Sequence, residues 1–382
     1  MERRLARAMR VLHLLSSTGY HGAENMAAEL IRQSALLGAE NHIGVFRSGP
    51  QSNLELLDHV RDVASGSIIV KCRGQFDFSP VMALRRYLRN NRIDVVHSHK
   101  YKTNVYTLAA SVGAGVGLVS TCHNWLGTSL RMRAYAALDK RVLRRFDIVA
   151  AVSADIARVL ANYVSHDRIR QAPNGVDVAR FGRTDRAAAK AMLGLEGRRV
   201  VGFVGRLSVE KGIEQLLRAV ASVAQTDKRI LALIVGGGGL RETLEQQVRE
   251  LGIAEQVRFV GEQRDIATYY DAMDIFVLPS YNEGLPMAVL EAMASRVPVV
   301  ASRVGEIPAV LDDGRCGWVV GAGSAKEIAA AIIDISDRPD AVCRAVELAR
   351  ERVERRYSSG AMAREYLQMY RDALCTDRNS RA

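Results

Sequence analysis

Asp274-Ile275-Phe276-Val277-Leu278-Pro279 runs without a break into Ser280-Tyr281-Asn282-Glu283-Gly284-Leu285-Pro286-Met287-Ala288-Val289-Leu290-Glu291-Ala292-Met293-Ala294. The first six residues are an apolar, β-branched run of strand length. The segment past Gly284 consists of good helix formers, with Pro286 where a first helical position tolerates it. The reading is a buried strand that delivers a helix N-terminus with two carboxylates, Glu283 just outside the helix and Glu291 one to two turns inside. Free N–H groups and the positive dipole end at residues 284–288 make a seat for a phosphate or another anion. If a diphosphate sits there, Glu283 reaches beyond one end of it and Glu291 faces another polar part of the ligand. A plain strand-to-helix junction with two solvated acids is the alternative this stretch leaves open.

The same unit recurs outward in both directions. Downstream, residues 298–301 and 317–320 read as strands, and residues 325–336, 340–354 and 361–374 as helices. Upstream, a strand at 199–204 ends in Gly205-Arg206-Leu207-Ser208-Val209-Glu210-Lys211-Gly212, ahead of a helix at 213–223. Arg206 and Lys211 project from a loop at a strand's C-terminal end, where cations meant for a diphosphate would stand; a solvated surface pair is the plainer alternative. An all-apolar strand at 230–235 meets Gly236-Gly237-Gly238-Gly239, and 257–262 is a further strand and turn. The N-terminal half has strands at 10–15, 42–46, 67–70, 94–97 and 147–152, and a strand and loop over 117–125. Its helices fall at 23–37, 81–88, from about 105, at 130–146 and at 156–163. Such alternation predicts two α/β domains, each a doubly wound parallel sheet with ligands at the carboxyl ends of its strands. His97, His99, Lys100 and Lys102 crowd one such end. Gly22 stands at the mouth of the first helix, where a glycine lets a ligand approach the backbone. Residues 178–186, poor in apolar side chains, suit a hinge.

The 382 residues suffice for two domains with a core each, and 48% hydrophobic with 25% charged residues fits soluble globular proteins. No stretch approaches the roughly 18–20 apolar residues of a spanning helix, and the basic N-terminus leads into a strand-like run, so a cytoplasmic location is expected. Cys72, Cys122, Cys316, Cys343 and Cys375 lack pairwise spacing, and no Cys/His cluster has metal-ligand spacing; neither a disulfide framework nor a structural metal is expected. A net charge of +11 calls for an anionic partner: nucleic acid, a membrane surface or phosphorylated small molecules. With 6% aromatics and no nucleic-acid-binding motif, nucleic acid is the minor reading. Residues 130–146 carry six Arg or Lys among apolar residues, a basic helix able to lie on the anionic inner face of a cell membrane. A solvated surface helix is the alternative.

The quoted stretch from Asn282 to Ala294, followed by Pro298-Val299-Val300-Ala301-Ser302 and Val304-Gly305-Glu306-Ile307-Pro308, resembles the signature of the retaining, nucleotide-sugar-dependent glycosyltransferases of family 4, which have the GT-B fold. Gly-Arg-Leu-x-x-x-Lys-Gly at 205–212 is the second motif of that family. Pro173-Asn174-Gly175-Val176-Asp177 also matches, as do Gly19, Gly22, Ala23 and Glu24, with His21 in place of a glycine. The resemblance implies two Rossmann-like doubly wound parallel-sheet domains facing a central cleft. Residues 1–178 would bind the acceptor and 187–360 the nucleotide sugar, with the helix 361–374 packing back onto the first domain.

The resemblance further implies transfer of a sugar from a nucleoside diphosphate sugar, a UDP-sugar favoured, to a lipid-linked or glycan acceptor hydroxyl, in cell-surface glycan, lipopolysaccharide or exopolysaccharide assembly. Neither a cofactor nor a metal is implied. Arg206 and Lys211 would bind the diphosphate in place of a metal, Glu283 the donor sugar's hydroxyls, Glu291 the ribose, and His99, backed by His97, a sugar hydroxyl at the reacting carbon. Gly22, Gly205, Gly238, Glu262, Gly284, Leu285, Pro286, Met287 and Ala288 would line the donor site, and His21, Lys100, Lys102, His123 and Asn124 the acceptor side. A sugar-nucleotide epimerase of the same fold, or a catalytically silent nucleotide-sugar-binding protein, is the alternative.

Overall fold

The computed structural model describes residues 7–16, 22–47, 54–72, 77–122 and 130–376. Its internal contacts gather into two units, Met1–Gly175 with Ser359–Ala382, and Val176–Ser358.

The first unit is a seven-stranded parallel sheet: β1 (Arg10–Leu15), β2 (Glu40–Arg47), β3 (Gly66–Lys71), β4 (Val95–His99), β5 (Gly117–Cys122), β6 (Ile148–Ala151) and β7 (Ile169–Gln171). Their order across the sheet is β3-β2-β1-β4-β5-β6-β7. The central strands β1, β4 and β5 are buried almost throughout, as strands covered by helices on both faces must be, which is why they read as unbroken apolar runs. Chain order reverses between β1 and β4, the switch point where open sheets bind ligands. There His13 pairs in register with His97. The last helix, Ser359–Cys375, packs Met362, Tyr366, Met369 and Tyr370 with Val11, Val95 and Val119 of this sheet.

The second unit repeats the design with β8 (Arg199–Val204), β9 (Ile230–Val235), β10 (Val257–Gly261), β11 (Ile275–Leu278), β12 (Val299–Ser302) and β13 (Trp318–Val320), in the order β10-β9-β8-β11-β12-β13. Its switch point lies between β8 and β11. Phe203, Ile234, Phe276 and Val300 form one core with Leu216, Val220 and Ile332 of the covering helices.

Three local features depart from expectation. The helix after β4 starts at Tyr101, not near 105, because Lys100 takes a positive φ of 82° and turns the chain at once, while the Thr103 hydroxyl donates to the His99 carbonyl at 2.7 Å. Residues 178–186 are packed onto the second unit: Phe181 is buried against the Tyr270 ring, and the amides of Gly182 and Thr184 donate to the Asp271 carboxylate at 3.2 and 3.0 Å. The helix Pro339–Arg352 runs into a π turn, Val353–Tyr357, whose last carbonyl accepts from the Val176 amide at 2.8 Å, so the two chain crossings out of this unit lie side by side. Among the described residues no disulfide links the cysteines, and no helix is long and apolar enough to cross a membrane.

Candidate functional site

In the second unit the candidate residues gather at the carboxyl ends of β8 and β11. Ser280, fully buried just past β11, donates its hydroxyl to Glu283 Oε1 at 2.6 Å. Lys211 Nζ, arriving from the loop after β8, reaches the same oxygen at 2.7 Å. The Glu283 side chain is only 9% exposed and that of Lys211 22%, so the pair is largely withdrawn from water. Two glycines bring these loops together. A Cβ on Gly212 (φ 61°) would stand 2.2 Å from the Pro279 carbonyl oxygen, and one on Gly305 (φ 52°) 2.0 Å from that of Glu283.

The helix after Glu283 is Met287–Ala294, with Pro286 as its cap and not its first residue. The Val289 and Leu290 amides both return to the Pro286 carbonyl, at 3.1 and 3.3 Å. The anion seat expected over 284–288 therefore draws its helical donors from Met287 and Ala288, which have no preceding turn to accept them; Pro286 has no N–H to offer. Leu285 is half-buried and Gly284 exposed, and a Cβ on Gly284 would meet nothing within 4 Å.

Other expected residues stand differently. Arg206 is 73% exposed on its side chain and pairs with Glu210 at 3.1 Å; the Ser208 hydroxyl, then the Glu210 amide and after it the nearby cations, hold the Glu210 carboxyl below its ordinary range. Glu291 is half-buried, and its carboxylate accepts from the Tyr270 hydroxyl at 2.8 Å. Burial raises its pKa, against the pull of the Tyr270 bond and the Arg180 charge. Gly238 serves loop packing, since a Cβ there would lie 2.4 Å from the Leu207 carbonyl oxygen. Gly205 begins the loop after β8, and the Glu262 carboxylate folds over Gly237, 2.8 Å from where a Cβ would be.

In the first unit, three fully buried histidines meet at the switch point: His13 on β1, and His97 and His99 on β4. The rings of His97 and His99 lie 4.2 Å apart between centroids, those of His13 and His97 5.3 Å. His97 contacts Tyr370 Oη through Nδ1 at 2.8 Å and Thr121 Oγ1 through Nε2 at 2.7 Å. Burial lowers the pKa of His13 to about 4, and its Nε2 bonds Asn41 Oδ1 at 3.1 Å. One ring nitrogen from each histidine falls within 4.8 Å of the others, close enough to be considered for a metal ion. Both nitrogens of His97 are already engaged by hydroxyls, which argues against a three-histidine site of the zinc type.

Lys100 is tied to the buried carboxylate of Glu24 at 2.7 Å, joining the first turn of the helix Gly22–Leu36 to the end of β4. Lys102 lies over the Phe46 ring at 5.8 Å. His21, His123 and Asn124 lie outside the described residues. His13, Tyr366 and Tyr370 went unremarked in the sequence because the sheet order and a helix more than 240 residues downstream bring them together with His97 and Thr121. Ser280 had a signal: a serine three residues before an acid, at a strand end.

Comparison with known proteins shows the family. Residues 20–180 match the model of Glycosyltransferase Family 4, and residues 185–352 that of Glycosyl transferases group 1. A D-inositol 3-phosphate glycosyltransferase of Saccharomonospora viridis is 31% identical over 79% of this chain and 75% of its own. One of Nocardia farcinica is 34% identical over 59% of this chain and 55% of its own. Among solved structures, Anabaena HepE in complex with UDP shares the fold with a TM-score of 0.80 at 21% identity, over 94% of this chain and 99% of its own. A glycosyltransferase from Rickettsia africae superposes with a TM-score of 0.81 at 17% identity, over 97% and 100%. The chain belongs to the family 4 glycosyltransferases, with the GT-B fold.

Proposed function

We propose that this glycosyltransferase moves a sugar from a nucleoside diphosphate sugar, a UDP-sugar favoured, to an acceptor hydroxyl with retention of anomeric configuration. The observation that carries the reading is the Lys211–Glu283–Ser280 cluster beside the free amides of Met287 and Ala288 at the switch point. A cation and a helix N-terminus at the same end of the sheet suit a diphosphate, and preorganised donors of this kind stabilise the charge that develops as it leaves. The sugar's C1–O bond to the diphosphate breaks, a bond from C1 to the acceptor oxygen forms on the same face, and the acceptor proton passes to the leaving phosphate oxygen. Lys211 and Arg206 supply positive charge without a metal ion, Glu283 orients sugar hydroxyls once the donor displaces Lys211 from it, and Glu291 faces the ribose. His99 is assigned to the donor sugar from its position at the end of β4. It has no exposed surface, so a sugar that bonds to it must displace its cover.

Acceptors of the lipid-linked or glycan kind are proposed, in cell-surface glycan, lipopolysaccharide or exopolysaccharide assembly. The helix Leu130–Leu143 leads into Arg144 and Arg145; its Lys140 and Arg141 with Arg144 border a hollow beside Tyr163, a surface suited to the inner face of a membrane. A second acceptor reading, a phosphorylated inositol, follows from the printed activity of the relatives. The test is hydrolysis and transfer with UDP-, GDP- and ADP-sugars in EDTA, with D-inositol 3-phosphate among the acceptors, comparing wild type with Lys211→Ala and Glu283→Ala. Turnover that survives chelation and collapses in both variants supports the reading. A panel with neither turnover nor binding refutes it.

A further inference from the structure

We propose that the hydroxyls of Tyr366 and Tyr370, on the last helix, are positioning groups for the reaction: acting through His97 and Thr121, they set the ring plane of His97 at the end of β4 and so orient His99, which packs on it. The proposal rests on the reading of His99 as a donor-side group.

Tyr366 and Tyr370 are four residues apart, share one face of the helix Ser359–Cys375, and are both fully buried. Tyr370 Oη lies 2.8 Å from His97 Nδ1, and Tyr366 Oη 2.8 Å from Thr121 Oγ1, which is 2.7 Å from His97 Nε2. A neutral imidazole donates through one nitrogen and accepts through the other, and a hydroxyl can meet either, so the two bonds hold the ring plane of His97 in both tautomers. His97 cannot turn without breaking a bond in the dry interior. Its ring packs on His99 at 4.2 Å with 37° between planes, and the Tyr366 ring packs on His97 at 5.1 Å with 30°.

His13 completes the stack from the neighbouring strand. The Asn41 amide donates to the Ile31 carbonyl and the Ser34 hydroxyl at 3.1 and 3.0 Å, which turns Oδ1 towards His13 and makes its Nε2 the protonated nitrogen. The three rings therefore pack as one body, and the two tyrosines anchor it from the last helix.

The first unit supplies its own control, because Tyr87 makes the same kind of bond, from its hydroxyl to His42 Nδ1 at 2.9 Å, without touching the three histidines. The experiment compares Tyr370→Phe, Tyr366→Phe and Tyr87→Phe in the full chain by donor turnover, thermal denaturation and ring resonances of ¹⁵N-labelled histidine, with His99→Gln assigning the His99 signals. The expected result is that Tyr370→Phe and Tyr366→Phe each lower kcat about tenfold, with KM for the donor within about twofold, as sub-ångström misorientation would. Both shift the His99 resonances, while Tyr87→Phe changes neither. Unmoved His99 resonances, or an unchanged kcat in an active enzyme, would overturn the proposal. Resonance shifts in a protein that turns over no nucleotide sugar would refute the functional reading while the positioning of His99 stood.

Discussion

Replacing Gly305 by alanine tests how the Glu283 loop is held. Gly305 sits at φ 52°, and a Cβ added there would lie 2.0 Å from the Glu283 carbonyl oxygen and 3.1 Å from that of Gly284. Real Cβ atoms keep at least 3.0 Å from such neighbours, so one side must retreat by about 1 Å (3.0 − 2.0). The left-handed backbone costs an alanine about 1–2 kcal/mol in addition. Helix and strand cores do not give by an ångström, so the loop carrying Glu283 moves. Misplacing a binding group by about 1 Å lowers kcat/KM roughly a hundredfold. Gly252→Ala isolates the backbone cost, because Gly252 has φ 66° and open space around it. It should lower the melting temperature by about 2–8 °C, from about 2–4 °C per kcal/mol in a domain of this size, and leave turnover unchanged. Gly284→Ala isolates the ligand's space: with nothing within 4 Å it should melt like wild type yet lose donor turnover. The assay is release of nucleoside diphosphate beside thermal denaturation of all three variants. Gly305→Ala with turnover within twofold of wild type would refute the reasoning.

The half-buried acid Glu291 gives a pH prediction. Its folded pKa is raised, so its charged form is penalised as pH rises above the ordinary carboxyl value of 4.5, and the penalty is absent below it. Glu291→Gln should unfold with wild type at pH 4 and later than wild type at pH 7, as urea titrations would show. His13 has the opposite sign: its pKa falls from 6.5 to about 4, so its stabilisation is present above pH 6.5 and is lost as pH falls through 4. The 2.5-unit difference corresponds to about 3 kcal/mol, and His13→Gln should lose that much less stability between pH 7 and 4 in urea titrations. Lys140, Arg141 and Arg144 together should contribute about 3 kcal/mol to binding anionic vesicles, at about 1 kcal/mol each. Charge reversal of all three should abolish co-sedimentation with phosphatidylserine vesicles while neutral vesicles bind neither protein; equal binding of variant and wild type would count against membrane contact.

The fold was legible because its signal is local: apolar runs of strand length alternate with helical spacing, which implies parallel sheets with crossover helices, while the strand orders appear only in the assembled sheets. Lys211 and Glu283, which the structure pairs, each stand in a loop that follows such a run. Element boundaries were less legible. Nothing local marks Lys100 as the residue that turns into a helix with a positive φ, and Pro286 serves as a cap as readily as a first residue. The segment 178–186 reads as polar linker, yet its one large apolar residue, Phe181, finds Tyr270 some ninety positions away. The support behind His97 was invisible, since partners on β1, β5 and the last helix meet only once the sheet is assembled. Glu291 was read as facing a ligand, and the burial that raises its pKa comes from packing beside Tyr270, which no sequence pattern announces.

The most direct test of the account is the ¹H NMR time course of an α-linked nucleotide sugar with enzyme, acceptor and EDTA. The account predicts loss of the donor's anomeric signal matched by an α-anomeric product signal, with nucleoside diphosphate released in equal amount. A β-anomeric product, or a donor consumed only when a divalent ion is restored, would contradict it.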